Sequence, residues 1–280
     1  MYINVLLRGV AIAALASGMV ACSSSSDTET LAFPSKVELG DALYHEKNLS
    51  FNGEQACATC HDTEHAFVDP RLDDFSTGDF GKIAAVSKGA DGSSIGDRNA
   101  PTAAYAKFSP DFHIGSRTRV HTEQNAFRDY TGALGGQFLD GRQPDLAGQA
   151  GGPPLNPIEM GMPDKASVIA RIEENTDYGA AFKAIYGADI FGDTDAAYEA
   201  MRDSIGEFEK SDMFSTFDSK YDRSLTGDYA MTFKELSGKS LYFSQFANCG
   251  ICHQLHASGD PVNKFEETFT GYEYHNIGVP

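Results

Sequence analysis

The 280-residue chain carries 40 acidic against 22 basic side chains, a net charge of −18, and 41% of its residues are hydrophobic. That length and apolar content suffice for two modest domains. So acidic a surface excludes a nucleic acid as the natural partner and suits a basic protein, whose encounter it would accelerate, although acidity also serves solubility alone.

Met1 to Ala21 reads as an export signal, with Arg8 its one basic residue and Gly9 to Val20 its apolar run. The run is too short and too abruptly ended for a membrane span. The ending Met19-Val20-Ala21-Cys22 resembles a bacterial lipobox. The resemblance implies lipidation of Cys22 and a periplasmic protein anchored to the outer membrane, with residues 22–35 as a polar tether. Simple cleavage near Ala21, giving a free periplasmic protein, is the alternative. Cleavage leaves 259 residues (280 less 21) and, with Arg8 gone, a charge of −19.

Next comes Cys57-Ala58-Thr59-Cys60-His61, matched far downstream by Cys249-Gly250-Ile251-Cys252-His253. C-x-x-C-H is the attachment pattern of a c-type haem: two thiols bond the porphyrin vinyl groups and the His becomes an axial iron ligand. A zinc ribbon or redox dithiol is the alternative for each pair, but zinc needs four converging ligands and each pair here carries its own His. The two motifs use four of the five cysteines, and Cys22 is the fifth.

Between Asp62 and Pro163 the chain is rich in Gly, Pro, Asp and Ser, notably over Ser87–Asn99 and Gly132–Gly152. Loop-built stretches of this length are usually functional. Helical patterns follow over Ala166–Glu174, near Ala180–Tyr186, and over Asp195–Glu209, the last opening in an Asp-Thr-Asp start signal. A weak repeat precedes both haem motifs: Gly40-Asp41-Ala42-Leu43-Tyr44 and Gly238-Lys239-Ser240-Leu241-Tyr242. It suggests two related units, each with a helix beside its porphyrin. Leu236, Phe243 and Phe246 form an apolar stripe at helical spacing, suited to a core that includes the haem. The expected fold is mainly α, two cytochrome-c-like haem domains with long loops and few strands, 36–209 and 210–280, divided near Lys210.

The chain resembles bacterial di-haem cytochrome c peroxidases and the related di-haem enzymes of methylamine utilisation, from about Val37 to its last residue. The resemblance rests on both C-x-x-C-H motifs, Arg98-Asn99-Ala100-Pro101-Thr102, the block from Asp140-Gly141-Arg142 to Met160, and His275-Asn276-Ile277-Gly278-Val279. Its most diagnostic parts are Gln149-Ala150 and Asn156-Pro157-Ile158-Glu159-Met160. The family implies an acid–base role for Glu159, since peroxide must lose a proton from one oxygen and gain one on the other, a service worth about 10² to 10⁴ in rate. It implies that Gln149 orients peroxide and that Phe138 shapes the pocket. Asn99 resembles a side-chain ligand for a calcium ion between the haems, where an amide oxygen suits a hard cation.

Three departures stand out. Ser94-Ile95-Gly96 is followed by Asp97 where activation-dependent peroxidases place a distal His, so the first iron is expected to be open; His113 and His121 are the substitutes to examine. The family's Phe-Trp-Asp-Gly-Arg stands here as Phe138-Leu139-Asp140-Gly141-Arg142, and the chain has no Trp. The sequence ends 27 residues past His253, and the resemblance implies a C-terminally truncated member whose second distal ligand, a Met or Tyr, lies beyond. Met201, Met213 and Met231 do not fit that position, and His45, His65, His256 and His275 are expected to be structural or on the surface.

The expected activity is reduction of hydrogen peroxide to water at the haem ligated by His61. Electrons would enter through the haem ligated by His253 from a small cytochrome c or cupredoxin, in a protein that could form a homodimer. The alternatives are a methylamine-utilisation-like enzyme oxidising a protein substrate, and a non-catalytic di-haem electron carrier.

Overall fold

A computed structural model describes residues 31–71, 86–117, 129–255, 266–276 and 278. The signal segment, Cys22, His121, His256, Ile277 and Val279 lie outside the described residues. Among those described are eight α-helices and one two-stranded antiparallel sheet, so the chain is mainly helical, as the sequence predicts. No described helix is long and apolar enough to cross a membrane.

Local chemistry sets the helix starts. α1 (Lys36–Tyr44) begins where Ser35 accepts from the Glu38 amide and donates its hydroxyl to the Glu38 carboxylate, which satisfies donors that the first turn leaves open. Asp164 caps α4 (Lys165–Glu174), Asn175 caps α5 (Thr176–Tyr186) and Asp193 caps α6 (Thr194–Glu209). The Asn175 cap explains why α5 starts before the predicted Ala180. Capping boxes at Ser219/Asp222 and Thr232/Glu235 open α7 (Lys220–Thr226) and α8 (Phe233–Tyr242).

The core forms where α1 crosses α6. Leu39, Leu43, Tyr44, Val168, Ile172, Ala181, Phe182, Ala197 and Met201 have no exposed surface. The approach is close enough that a Cβ on Gly40 would lie 1.9 Å from the Ser204 carbonyl oxygen. Tyr44 meets Phe208 and Phe214 edge-on at 5.3 and 5.7 Å, and Phe67 stacks on Phe214 at 4.3 Å. Such pairs contribute about 0.5–1.5 kcal/mol each beyond the area they bury. Met201 is therefore a core residue, while Met213 is half exposed.

β1 (His113–Arg117) pairs with β2 (Tyr130–Leu134) in the register His113↔Leu134 to Arg117↔Tyr130. The end of β2 is tied to the segment after the second haem motif: the Gly135 amide donates to Tyr272 O, and Tyr274 Oη donates to Gly135 O. The predicted stripe is interrupted: α8 ends at Tyr242, so Phe243 caps it and Phe246 lies beyond it. Phe243 is 9% exposed, stacked on Phe269, but Leu236 is 52% and Phe246 91% exposed.

Candidate functional site

The first C-x-x-C-H motif folds into a single helical turn, α2 (Cys57–Cys60), and i, i+3 spacing puts both thiols on one side. The turn is fixed by the Ala56 amide donating to Thr59 Oγ1 at 2.9 Å and the His61 amide donating to Cys57 O at 2.9 Å. His61 Nδ1 lies 3.1 Å from Phe67 O. A carbonyl can only accept, so Nδ1 carries the proton and Nε2 keeps a free lone pair, the arrangement an iron-ligating imidazole needs. Burial lowers the His61 pKa, which keeps the ring neutral, and Tyr44 Oη donates to His61 O at 3.0 Å.

These groups open onto a cavity of about 470 Å³. Gln149 reaches its wall from α3 (Leu146–Ala150), whose start is fixed by Asp145 accepting from the Gly148 amide at 2.7 Å. Phe138 adopts a left-handed backbone (φ 65°), which turns its ring beneath the Arg142 guanidinium at 3.6 Å, a cation–π contact. Arg142 donates to Asp140 at 2.8 Å, and Arg98 holds the other Asp140 oxygen at 2.9 Å. Partial burial pushes the Asp140 carboxyl up, but the two arginines outweigh it and hold it below the ordinary range.

Glu159 lies in a turn on the same wall. Its amide donates to Asn156 O at 3.0 Å, and its carbonyl accepts from Ala90 N at 2.6 Å. Burial raises its carboxyl pKa; Arg142 and Asn156 pull it back, and Asp97 adds to the rise. Gln149, Phe138 and Glu159 are thus brought to the cavity that holds His61. Asn99 also lines it but is exposed. Calcium takes six to eight oxygens, and Asn99 supplies one amide oxygen, so no chemistry is routed through that ion.

Among the described residues His61 is the one histidine on this wall. His113 stands exposed on β1 with Nδ1 2.8 Å from Asp111 O, so it does not replace the distal His. His45, His65 and His275 are also exposed. Two wall residues escaped the sequence reading: Arg142, noted only as part of a motif, and Glu209, the last residue of α6. Glu209 did leave a signal, since it lies four and eight positions after Ile205 and Met201, on the buried stripe of an amphipathic helix.

The second motif forms a short 3-10 turn over Cys249–Ile251. His253 Nδ1 lies 3.2 Å from Phe269 O, which fixes the same tautomer as at His61. Phe67 and Phe269 both have left-handed backbones, φ 58° and 53°. This site is more open: Cys252 and His253 are exposed and Cys249 is half-buried. Beneath it Arg117 donates to Gln254 and to Glu273, each at 3.3 Å, and Gln254 is 1% exposed. A second cleft of about 340 Å³ runs between Pro101, Gln137 and Leu139 of the first site and Thr268, Thr270 and Tyr272 near the second.

Porphyrin attachment fits these residues. Burial pushes the Cys57 thiol up to about 12, with Glu209 and Cys60 adding to it, and raises Cys60 as well. Such thiols are neutral and poor thiolate ligands. Among the described residues no three His, Cys, Asp or Glu side chains converge as a zinc site would have them. The cavity also exposes an orphaned buried oxygen, Glu209 Oε2.

Residues 34–230 match the di-haem cytochrome c peroxidase family. The methylamine utilization protein MauG of Paracoccus denitrificans is 39% identical over 277 residues, 98% of this chain and 64% of that protein. The cytochrome c peroxidase Ccp of Escherichia coli is 32% identical over 219 residues, 78% of this chain and 37% of that protein. The diheme peroxidase BthA of Burkholderia thailandensis superposes with a TM-score of 0.70 at 26% identity, over 85% of this chain and 53% of that one. The chain thus spans less than two thirds of the length of these relatives. Two tethered histidines, each behind a thiol pair, suit two covalently held haems c. Together with the family match, they show that the chain belongs to the di-haem cytochrome c peroxidase family.

Proposed function

We propose that this chain reduces hydrogen peroxide to water in the cavity beside His61, taking up two electrons and two protons per peroxide. The observation that carries this reading is one cavity wall that presents Glu159, whose proton affinity burial has raised, together with Gln149. When bound, the haem supplies the iron at which peroxide is reduced. Glu159 accepts a proton from one peroxide oxygen and returns it to the other. Gln149 hydrogen-bonds and orients the peroxide. Phe138, clamped under Arg142, narrows the space, and His61 would hold the haem iron. The Cys249–His253 site takes electrons from a small basic cytochrome c or cupredoxin attracted by the acidic surface. The division into a peroxidatic unit, 36–209, and an electron-transfer unit, 210–280, belongs to this proposal, as do calcium at Asn99, export to the periplasm, anchoring through Cys22 and pairing as a homodimer.

A second reading, oxidation of a protein substrate, is favoured by the 39% identity to MauG and by a cavity wall with no histidine besides His61 among the described residues. A plain electron carrier fits less well, since it needs no proton-shuttling carboxyl. Peroxide added to the holoprotein with reduced cytochrome c should oxidise the cytochrome. Absence of peroxide-dependent oxidation overturns the proposal.

A further inference from the structure

Glu209 has no part in the reaction above, yet its setting is unusual. It is 5% exposed, its Oε2 has no hydrogen-bond partner, and it lies on the wall of the cavity that opens at Cys57 and His61. α6 carries it there, one turn beyond Ile205 on the same wall. No described ion pair involves it, and it ends a helix, where the backbone dipole disfavours a negative charge. From α1 and α2 the titratable groups that act on it are Tyr44 and Cys57. α3 presents none, its sequence being Leu-Ala-Gly-Gln-Ala, and the flanking Glu207 and Lys210 pair with each other at 2.7 Å. Thioether formation removes the Cys57 proton from the balance. A carboxyl with no described ion-pair partner is costly when ionised, and a charge placed in the cavity it lines, which Arg98, Asp140, Arg142 and Glu159 also line, bears on it directly.

We infer that Glu209 is a positioning residue that couples a proton to reduction of the first haem: its carboxylate gains one proton as the iron gains one electron, and releases it on oxidation. The electron comes from the donor or a chemical reductant and the proton from solvent. Reduction therefore adds no net charge to the buried site. The physical cause is Coulombic, since ferric iron favours the ionised carboxylate and ferrous iron favours the neutral acid. Burial alone raises the Glu209 pKa to about 8, so the carboxyl changes state close to neutral pH. The inference requires a haem at Cys57–His61 but not peroxide reduction; a pure electron carrier would show it too.

The test is an optical redox titration of the holoprotein at several values between about pH 6 and pH 9. One of the two haems should show a midpoint potential that falls as pH rises. Glu209→Gln should flatten that dependence, while Glu159→Gln should leave it in place. An unchanged slope in Glu209→Gln, or its loss in Glu159→Gln instead, overturns the inference. Should Glu209→Gln fail to retain two haems by pyridine haemochrome assay, redox-difference infrared spectra of the unmutated holoprotein decide the matter. A protonated-carboxyl band must grow as the pH-dependent haem is reduced, and its absence ends the inference.

Discussion

Gly40 and Gly238 occupy the same place in two copies of one pattern, Gly-x-x-Leu-Tyr, but their surroundings differ. A Cβ on Gly40 would collide with the Ser204 carbonyl of α6, whereas one on Gly238 would meet nothing within 4 Å. Leu43 has no exposed surface and Leu241 is 51% exposed. The histidine of each C-x-x-C-H motif is nevertheless held by the same device, an Nδ1–H donated to the carbonyl of a left-handed Phe. Ring orientation is a local property that each motif secures for itself. Burial is not: α1 is covered chiefly by α6, with α5 at its side, and no described element does the same for α8.

The comparison can be broken in four ways. The largest effect belongs to the first site alone: Glu159→Gln should keep both haem spectra and lose about 10²- to 10⁴-fold in peroxide turnover. Because burial raises the Glu159 pKa, turnover in the unmutated protein should fail on the acid side at a pH above the usual carboxylate range, seen as a shifted acid limb in a pH–rate profile. Unchanged turnover in the variant would remove Glu159 from the reaction.

Packing comes next. Leu43→Ala should destabilise by about 2–5 kcal/mol, whereas Leu241→Ala should stay within about 0.5 kcal/mol, as read by denaturant unfolding. Equal losses would mean that α8 is buried as deeply as α1. The glycines sharpen the point, because the expected signs are opposite. Gly40→Ala should cost about 1–3 kcal/mol or more by forcing α1 from α6, while Gly238→Ala should stabilise α8 by about 0.5–1 kcal/mol. Paired thermal melts check this directly.

The remaining effect is on pH. The Glu209 pKa lies at about 8 in the folded protein against an ordinary 4.5. Folding therefore favours the protonated form: the contribution is fully present below the ordinary value and is lost as pH rises through about 8. The stability of the unmutated protein relative to Glu209→Gln should decline over that interval in parallel unfolding curves.

Much of the helical framework was legible in the sequence. The caps at Asp164 and Asp193 act on residues two or three positions away, so α4 and α6 were placed to within a residue. α5 was foreshortened because the Asn175 cap was overlooked. Gln149, Phe138 and Glu159 were found through motif resemblance, and the fold brings all three to one cavity. Isolated, a glutamate such as Glu159 gives no sign of burial. The stripe of Leu236, Phe243 and Phe246 misled for another reason: α8 ends at Tyr242, and periodicity records neither where a helix stops nor whether its apolar face is covered.

The sequence by itself determined where the thiol pairs stand, which histidines follow them and where the capped helices begin, because each depends on hydrogen bonds or spacing between near neighbours in the chain. Only the tertiary structure decided that Phe67 and Phe269 hold those histidines, that Arg142 lies over Phe138, that α6 delivers Glu209 to the haem cavity, and that one repeat is buried while the other is not. Those outcomes depend on desolvation and on charges meeting across space, and both are set by which distant segments arrive beside a residue.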